Sequence, residues 1–156
     1  MTLQEWATNS QWFHKHPPDA GEIAALVGVV RRDLHDAEQD AVSFDCRFGC
    51  AYNAGLKLCA ILLNAEGYRA KSGTGEHKHT VLALPYILGE SWRDKATYLN
   101  ACGSKRNAAD YNFAGGVSEH EVTELIEFVK GFQPEVLAWL KTKHPELLPP
   151  ATKAKG

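Results

Sequence analysis

Apolar residues recur at intervals of three and four along most of the chain, the spacing of one face of an α-helix. Between residues 19 and 38 they are Ile23, Leu26, Val27, Val30 and Leu34, and Asp19 with Glu22 supplies a helix start after the break at Pro17 and Pro18. A second stripe runs through Phe44, Phe48, Tyr52, Gly55, Leu56, Cys59, Leu62 and Leu63, with Gly67 as its stop. The stretch RAKSGTGEHKH, residues 69–79, is polar and rich in glycine and reads as a loop. TVLALPYILG then predicts a short apolar helix that Pro85 kinks or restarts. Trp92, Ala96, Leu99 and Cys102 share the face of a further helix, which AGG at 114–116 ends.

The last long helix has the clearest start. Ser118 and Glu121 stand at capping-box spacing, and Val117 and Val122 at the spacing of a hydrophobic staple. Its stripe is Val122, Leu125, Ile126, Val129, Phe132, Val136 and Leu140, and Gly131 and Pro134 predict a kink or a split within it. At the N-terminus Thr2 and Glu5 also have capping-box spacing, for one brief helix or an irregular arm. No segment alternates as a half-buried strand does, and there is no repeat or low-complexity tract. The expected fold is all-α: an antiparallel up-and-down bundle of four main helices with short extra helices. An arm or short helix over 1–18, the bundle over 19–144 and a frayed tail over 145–156 complete the expected organisation.

A chain of 156 residues suits one domain with a sizeable core. Apolar residues make up 44% and charged residues 23%, with a net charge of −2, so there is no strongly basic footprint of the kind nucleic-acid binders carry overall. No uninterrupted apolar run approaches the roughly 20 residues of a membrane span, and the N-terminus lacks a signal-peptide pattern; a cytoplasmic setting is expected. The four cysteines, Cys46, Cys50, Cys59 and Cys102, then stay reduced. Cys46 and Cys50 share a helix face that a metal could use, but Cys59 lies on an apolar stripe and Cys102 among small residues. Packing is the favoured reading, with no metal and no cofactor expected.

Candidate chemistry gathers in CGSKRNAADY. Arg106 continues the apolar face of 92, 96, 99 and 102, so it must be paired or point into a wet cleft. Asp110, four residues on, is a natural partner, and Asn107 adds a polar neighbour. Asp45 suits the first turn of its helix, and Arg47 can ion-pair or meet a phosphate there. Tyr52 reads as core, whereas Asn53 beside it could hydrogen-bond across the bundle to the Arg106 region. His77 and His79, placed in the loop before the short helix, could reach into a cleft or stay exposed.

Ala51-Tyr52-Asn53-Ala54, Gly67-Tyr68-Arg69, and Lys105-Arg106-Asn107 with Asp110-Tyr111, in this order and spacing, resemble the HEPN superfamily, in particular its bacterial stand-alone members, over residues 20–142. The resemblance implies a helical bundle, usually a homodimer. Many members are RNases of toxin–antitoxin or defence systems, and others partner a small nucleotidyltransferase or bind without catalysing. The RNase members place a histidine after an Arg and a polar residue, with four to six residues between, at a site where two protomers meet. Arg106 and Asn107 match the first two positions, and with the four to six residues counted from Arg106, Tyr111, Asn112 and Phe113 occupy the places open to the histidine. The expectation is therefore a non-catalytic or weakly active component that binds RNA, a nucleotide or an antitoxin or nucleotidyltransferase partner. The alternative is a metal-independent RNase toxin with a variant Arg106-Asn107…Tyr111 site.

Overall fold

In the computed structural model, residues 2–111 and 116–150 are described, with side chains throughout except those of 109–111. The helix starts follow local capping chemistry. Thr2 Oγ1 accepts from the Glu5 amide ahead of α1 (Leu3–Ser10), Asp19 accepts from the Gly21 and Glu22 amides ahead of α2 (Ala20–Ala37), and Ser43 accepts from the Cys46 amide ahead of α3 (Phe44–Ala65). Two short helices follow, α4 (Glu76–Leu82) and α5 (Leu84–Leu88), with Pro85 in the first turn of α5, where its missing N–H costs nothing. α6 spans Arg93–Tyr111, and α7 (Glu119–Lys143) opens on the full capping box of Ser118 and Glu121.

The four long helices run alternately up and down. α2 and α3 are antiparallel, since Arg47 Nε donates to the Ala37 carbonyl at 2.7 Å, Asn53 meets Asp33 and Asn64 meets Glu22. α6 descends against α3, with Gly55 beside Leu99 and Gly103 beside Tyr52. α7 returns, tied to α6 by the Lys105–Glu121 ion pair at 2.6 Å and the Tyr98–Phe128 ring contact, and to the turn just before α6 by the Trp92–Phe132 ring contact. The fold is thus the all-α bundle that the periodicity predicts. One core contains Ile23, Val30, Phe48, Leu62, Leu99, Leu125, Val129 and Leu140.

α3 differs from its expected one-sided stripe. Ala51, Ala54, Leu58, Ile61 and Ala65 are buried as well, so apolar residues face neighbours on nearly every side, while Phe44 at the exposed end is 41% accessible. α3 is also long and apolar enough for a membrane span by length and composition, with 72% of that window buried inside the bundle.

Three further departures have local causes. Phe13–Lys15 (β1) and Tyr68–Ala70 (β2) form an antiparallel ladder, Phe13 opposite Ala70 and Lys15 opposite Tyr68. Strands of three residues are too short to display an alternating pattern. The ladder docks the N-terminal arm, and Leu3, Ala7 and Phe13 bury a second small cluster with Leu63, Ala70 and Ala83. α7 runs unbroken through Gly131 and Pro134. Pro134 and Lys130, one turn before it, are both exposed, so the carbonyl that loses its donor lies on the solvent side. The tail expected to fray from 145 holds one more turn, Pro145–Leu147, with Leu147 buried in the core; residues 151–156 lie outside the described residues.

Two glycines of the long helices should respond oppositely to alanine. A Cβ at Gly131 would meet nothing within 4 Å, so Gly131→Ala is expected to stabilise by about 1 kcal/mol through helix propensity. A Cβ at Gly103 would stand 2.7 Å from the Tyr52 hydroxyl and 2.8 Å from its ring, so Gly103→Ala is expected to destabilise by about 1–3 kcal/mol. Urea unfolding of the two variants beside the parent measures both.

Candidate functional site: a polar cleft between α4 and α6

On α6 the residues split by face. Ala96, Leu99 and Cys102 are buried against α3, and Arg106 continues their line. Asn100, Ser104 and Asn107 recur at the same helical spacing on the neighbouring face, around Gly103. That face forms one wall of a polar cleft of about 560 Å³, and the opposite wall is the 73–75 loop with the first turn of α4. Gly73 and Gly75 both have positive φ there, 111° and 85°, a backbone that side chains with a Cβ rarely adopt. The cleft is lined by Tyr52, His77, Lys78, Asn100, Ser104 and Asn107, among others. It presents an ammonium, an imidazole, two amides and two hydroxyls, with Glu76 as the carboxylate. Such a set can hydrogen-bond a phosphate, a sugar or a base edge.

The structure thus brings two predicted residues, Asn107 and His77, into one cleft, and separates others from it. Arg106 does not line the cleft. Its guanidinium carbon lies 5.9 Å from the centroid of the Tyr52 ring, and its side chain passes over Gly49. Tyr52 therefore connects the two, with its ring under Arg106 and its edge at the cleft. Burial pushes its hydroxyl up to about 12, so it is a proton donor and never a base at neutral pH. The Asp110 and Tyr111 side chains, and with them the expected Arg106–Asp110 pair, lie outside the described residues.

His77 and His79 sit in α4 and not in a loop, because Gly75, in the left-handed region, starts the helix at Glu76. Two residues apart on a helix, they face different ways. His79 stacks on Trp12 of the N-terminal arm, with ring centroids 4.0 Å apart and planes within 8°. Burial, with Lys78 beside it, lowers its pKa.

Asn53 does not reach Arg106 but donates to Asp33 at 2.5 Å. Asp33 is 5% exposed and also accepts from Arg32 Nε at 3.1 Å, so the pair is a buried polar clasp between α2 and α3. Arg47 is held by the Ala37 carbonyl, a structural tie where a phosphate contact was one expectation. Asp45 is half-buried in the first turn of α3, well before the residues of the cleft.

Cys59 and Cys102 are buried, and burial raises the Cys50 and Cys102 thiols to about 11, so neither is a thiolate at neutral pH. Among the described residues no three metal-ligating side chains converge.

Sequence reasoning missed Lys78, Asn100 and Ser104. The signal for the last two was present, since Asn100, Ser104 and Asn107 stand at four and three around a glycine. No family model, curated protein or solved structure matches the chain.

Two predictions follow from these contacts. Asn53→Ala leaves the buried Asp33 carboxylate short of a donor and is expected to cost about 1–3 kcal/mol by denaturant titration. His79 has a folded pKa below the ordinary 6.5, so the unfolded chain takes up its proton first as pH falls. Its contribution is complete above about 6.5 and declines as pH drops toward the folded value. Thermal unfolding of the parent is expected to lose ground to His79→Phe between about pH 7 and 5; parallel pH profiles of the two proteins would contradict this.

Proposed function

We propose that the chain is an HEPN-like bundle that binds RNA or a nucleotide in the α4–α6 cleft, as a non-catalytic or weakly active component of a toxin–antitoxin or defence-type system. The observation that carries this reading is the meeting of Asn107 with His77, Lys78, Asn100 and Ser104 around one polar cleft. Lys78 supplies the charge for a phosphate, while the amides and Ser104 supply neutral donors that fix its orientation. Arg106, over Tyr52 at the side of the cleft, is the residue through which the resemblance to HEPN proteins would join two protomers. In this reading a cytoplasmic homodimer sets two clefts near one seam, and an antitoxin or nucleotidyltransferase is the protein partner.

The metal-independent RNase is the second reading, and His77 favours it. It lines the same cleft as Asn107, so the cleft holds an imidazole although Tyr111, Asn112 and Phe113 after Arg106 include none. His77 would move the proton of the attacking 2′-hydroxyl in the cleft, and Arg106, outside the cleft over Tyr52 and with Tyr111 next in the motif, would act on the phosphate charge where two protomers meet.

One pair of assays separates them. Binding of a short single-stranded RNA and of ATP, followed by fluorescence polarisation and by calorimetry, is expected to weaken about tenfold or more in Lys78→Ala and several-fold in Asn107→Ala. Cleavage of the same RNA without metal is then compared between the parent, His77→Ala and Arg106→Ala. Binding without cleavage supports the first reading, and cleavage lost in both variants supports the second. Failure of the parent to bind either ligand overturns both.

A further inference from the structure

A second cavity lies on the other side of the first turn of α4. It is a groove of about 380 Å³ between α2, α3, β2 and α4, inside the range of about 300–1,000 Å³ that small-molecule sites occupy. Its apolar lining comes from Leu26 and Val29 on α2 and from Leu56, Ala60 and Leu63 on α3. Charged groups stand around this lining. Lys57 projects from α3 and is half-buried, and Arg69 comes from β2. Neither has an ion pair among the described residues.

The carboxylates of the groove are not equivalent. Glu22 is already engaged, 2.8 Å from His16 Nε2 and accepting from Asn64 Nδ2 at 2.8 Å, and these two bonds hold its pKa below the usual carboxylate range. Glu76 has no ion pair among the described residues, and it faces both cavities, as does His77. The groove thus holds two cations without an ion pair among the described residues, Lys57 and Arg69, beside an apolar surface, while Glu22 is committed to His16 and Asn64 and Glu76 is shared with the polar cleft. Lys57 and Arg69 can each donate to a carboxylate, Glu22 and Glu76 on the same lining oppose the second charge of a phosphate dianion, and an amine would meet two like charges.

We propose that this groove binds a small molecule with an apolar body and one carboxylate, its chain on Leu26, Leu56 and Leu63 and its carboxylate between Lys57 and Arg69. The proposal does not depend on the RNA or nucleotide reading, since the two cavities share only Glu76 and His77.

The test titrates the full chain with octanoate, octylamine and octanol in parallel, followed by amide NMR shifts and calorimetry. Octanoate is expected to bind, to shift the amides of Leu56, Ala60 and Leu63, and to outbind the amine and the alcohol by about tenfold or more. The Lys57→Gln/Arg69→Gln double variant, its fold checked by circular dichroism, should lose that advantage while binding octanol as the parent does. Leu26→Trp, which fills the groove, should remove binding of all three. Equal affinity for the three compounds, unchanged octanoate affinity in the double variant, or no shift at the groove amides would each overturn the proposal.

Discussion

Everything in this fold depends on keeping α3 covered. A helix that is apolar around almost its whole circumference cannot rest at the edge of a bundle, because any face left open puts Leu, Ile or Phe side chains into water at about 25 cal/mol for each Å². α2, α4, α6 and α7 each take one sector of it. The small residues of α3 set how close they come: at Gly55 a Cβ would meet Leu99 of α6 at 3.1 Å and Val129 of α7 at 3.3 Å, so two helices close on the same point. The polar residues of α3 are then confined to a few positions, and each has its own use. Asn53 clasps Asp33, Asn64 joins Glu22, Tyr52 supports Arg106 and Lys57 opens into the apolar groove.

The long helices could be read in advance because their signals are local. Caps such as Ser118 with Glu121, and stripes such as Val122 to Leu140, need only the periodicity of one helix. What escaped was set between elements. The one-sided stripe assigned to α3 counted its largest side chains and overlooked Ala51, Ala54 and Ala65, which are buried because neighbours approach there. The β1–β2 ladder joins segments more than fifty residues apart, and three-residue strands carry no periodicity to recognise. The start of α4 at Glu76 was hidden by its composition, since the first turn, Glu76 to His79, is polar throughout and reads as loop.

The candidate site was legible in the same proportion. Arg106 on the inward line of α6 followed from counting, and its half-buried place over Tyr52 agrees with that count. The target of Asn53 could not be counted, because an amide can satisfy itself on any adjacent helix and Asp33 on α2 lies closer at hand than α6. The separation of His77 from His79 is of the same kind. Two residues of spacing means opposite sides on a helix and a shared side on a strand, so their roles diverge only once α4 is known to be a helix.

This makes α4 the element on which both cavities turn. Seven residues are too few to hold a helix in water by hydrogen bonding alone, so its order comes from its contacts. Val81 and Thr80 are buried beneath it, and the ring of His79 is held by Trp12. Trp12 precedes β1, whose ladder with β2 places the N-terminal arm over the end of α3. The arm therefore supports the helix between the two cavities without lining either. It packs on α4 through the Trp12–His79 stack, and the first turn of that helix carries Glu76 and His77, which stand on the wall common to both.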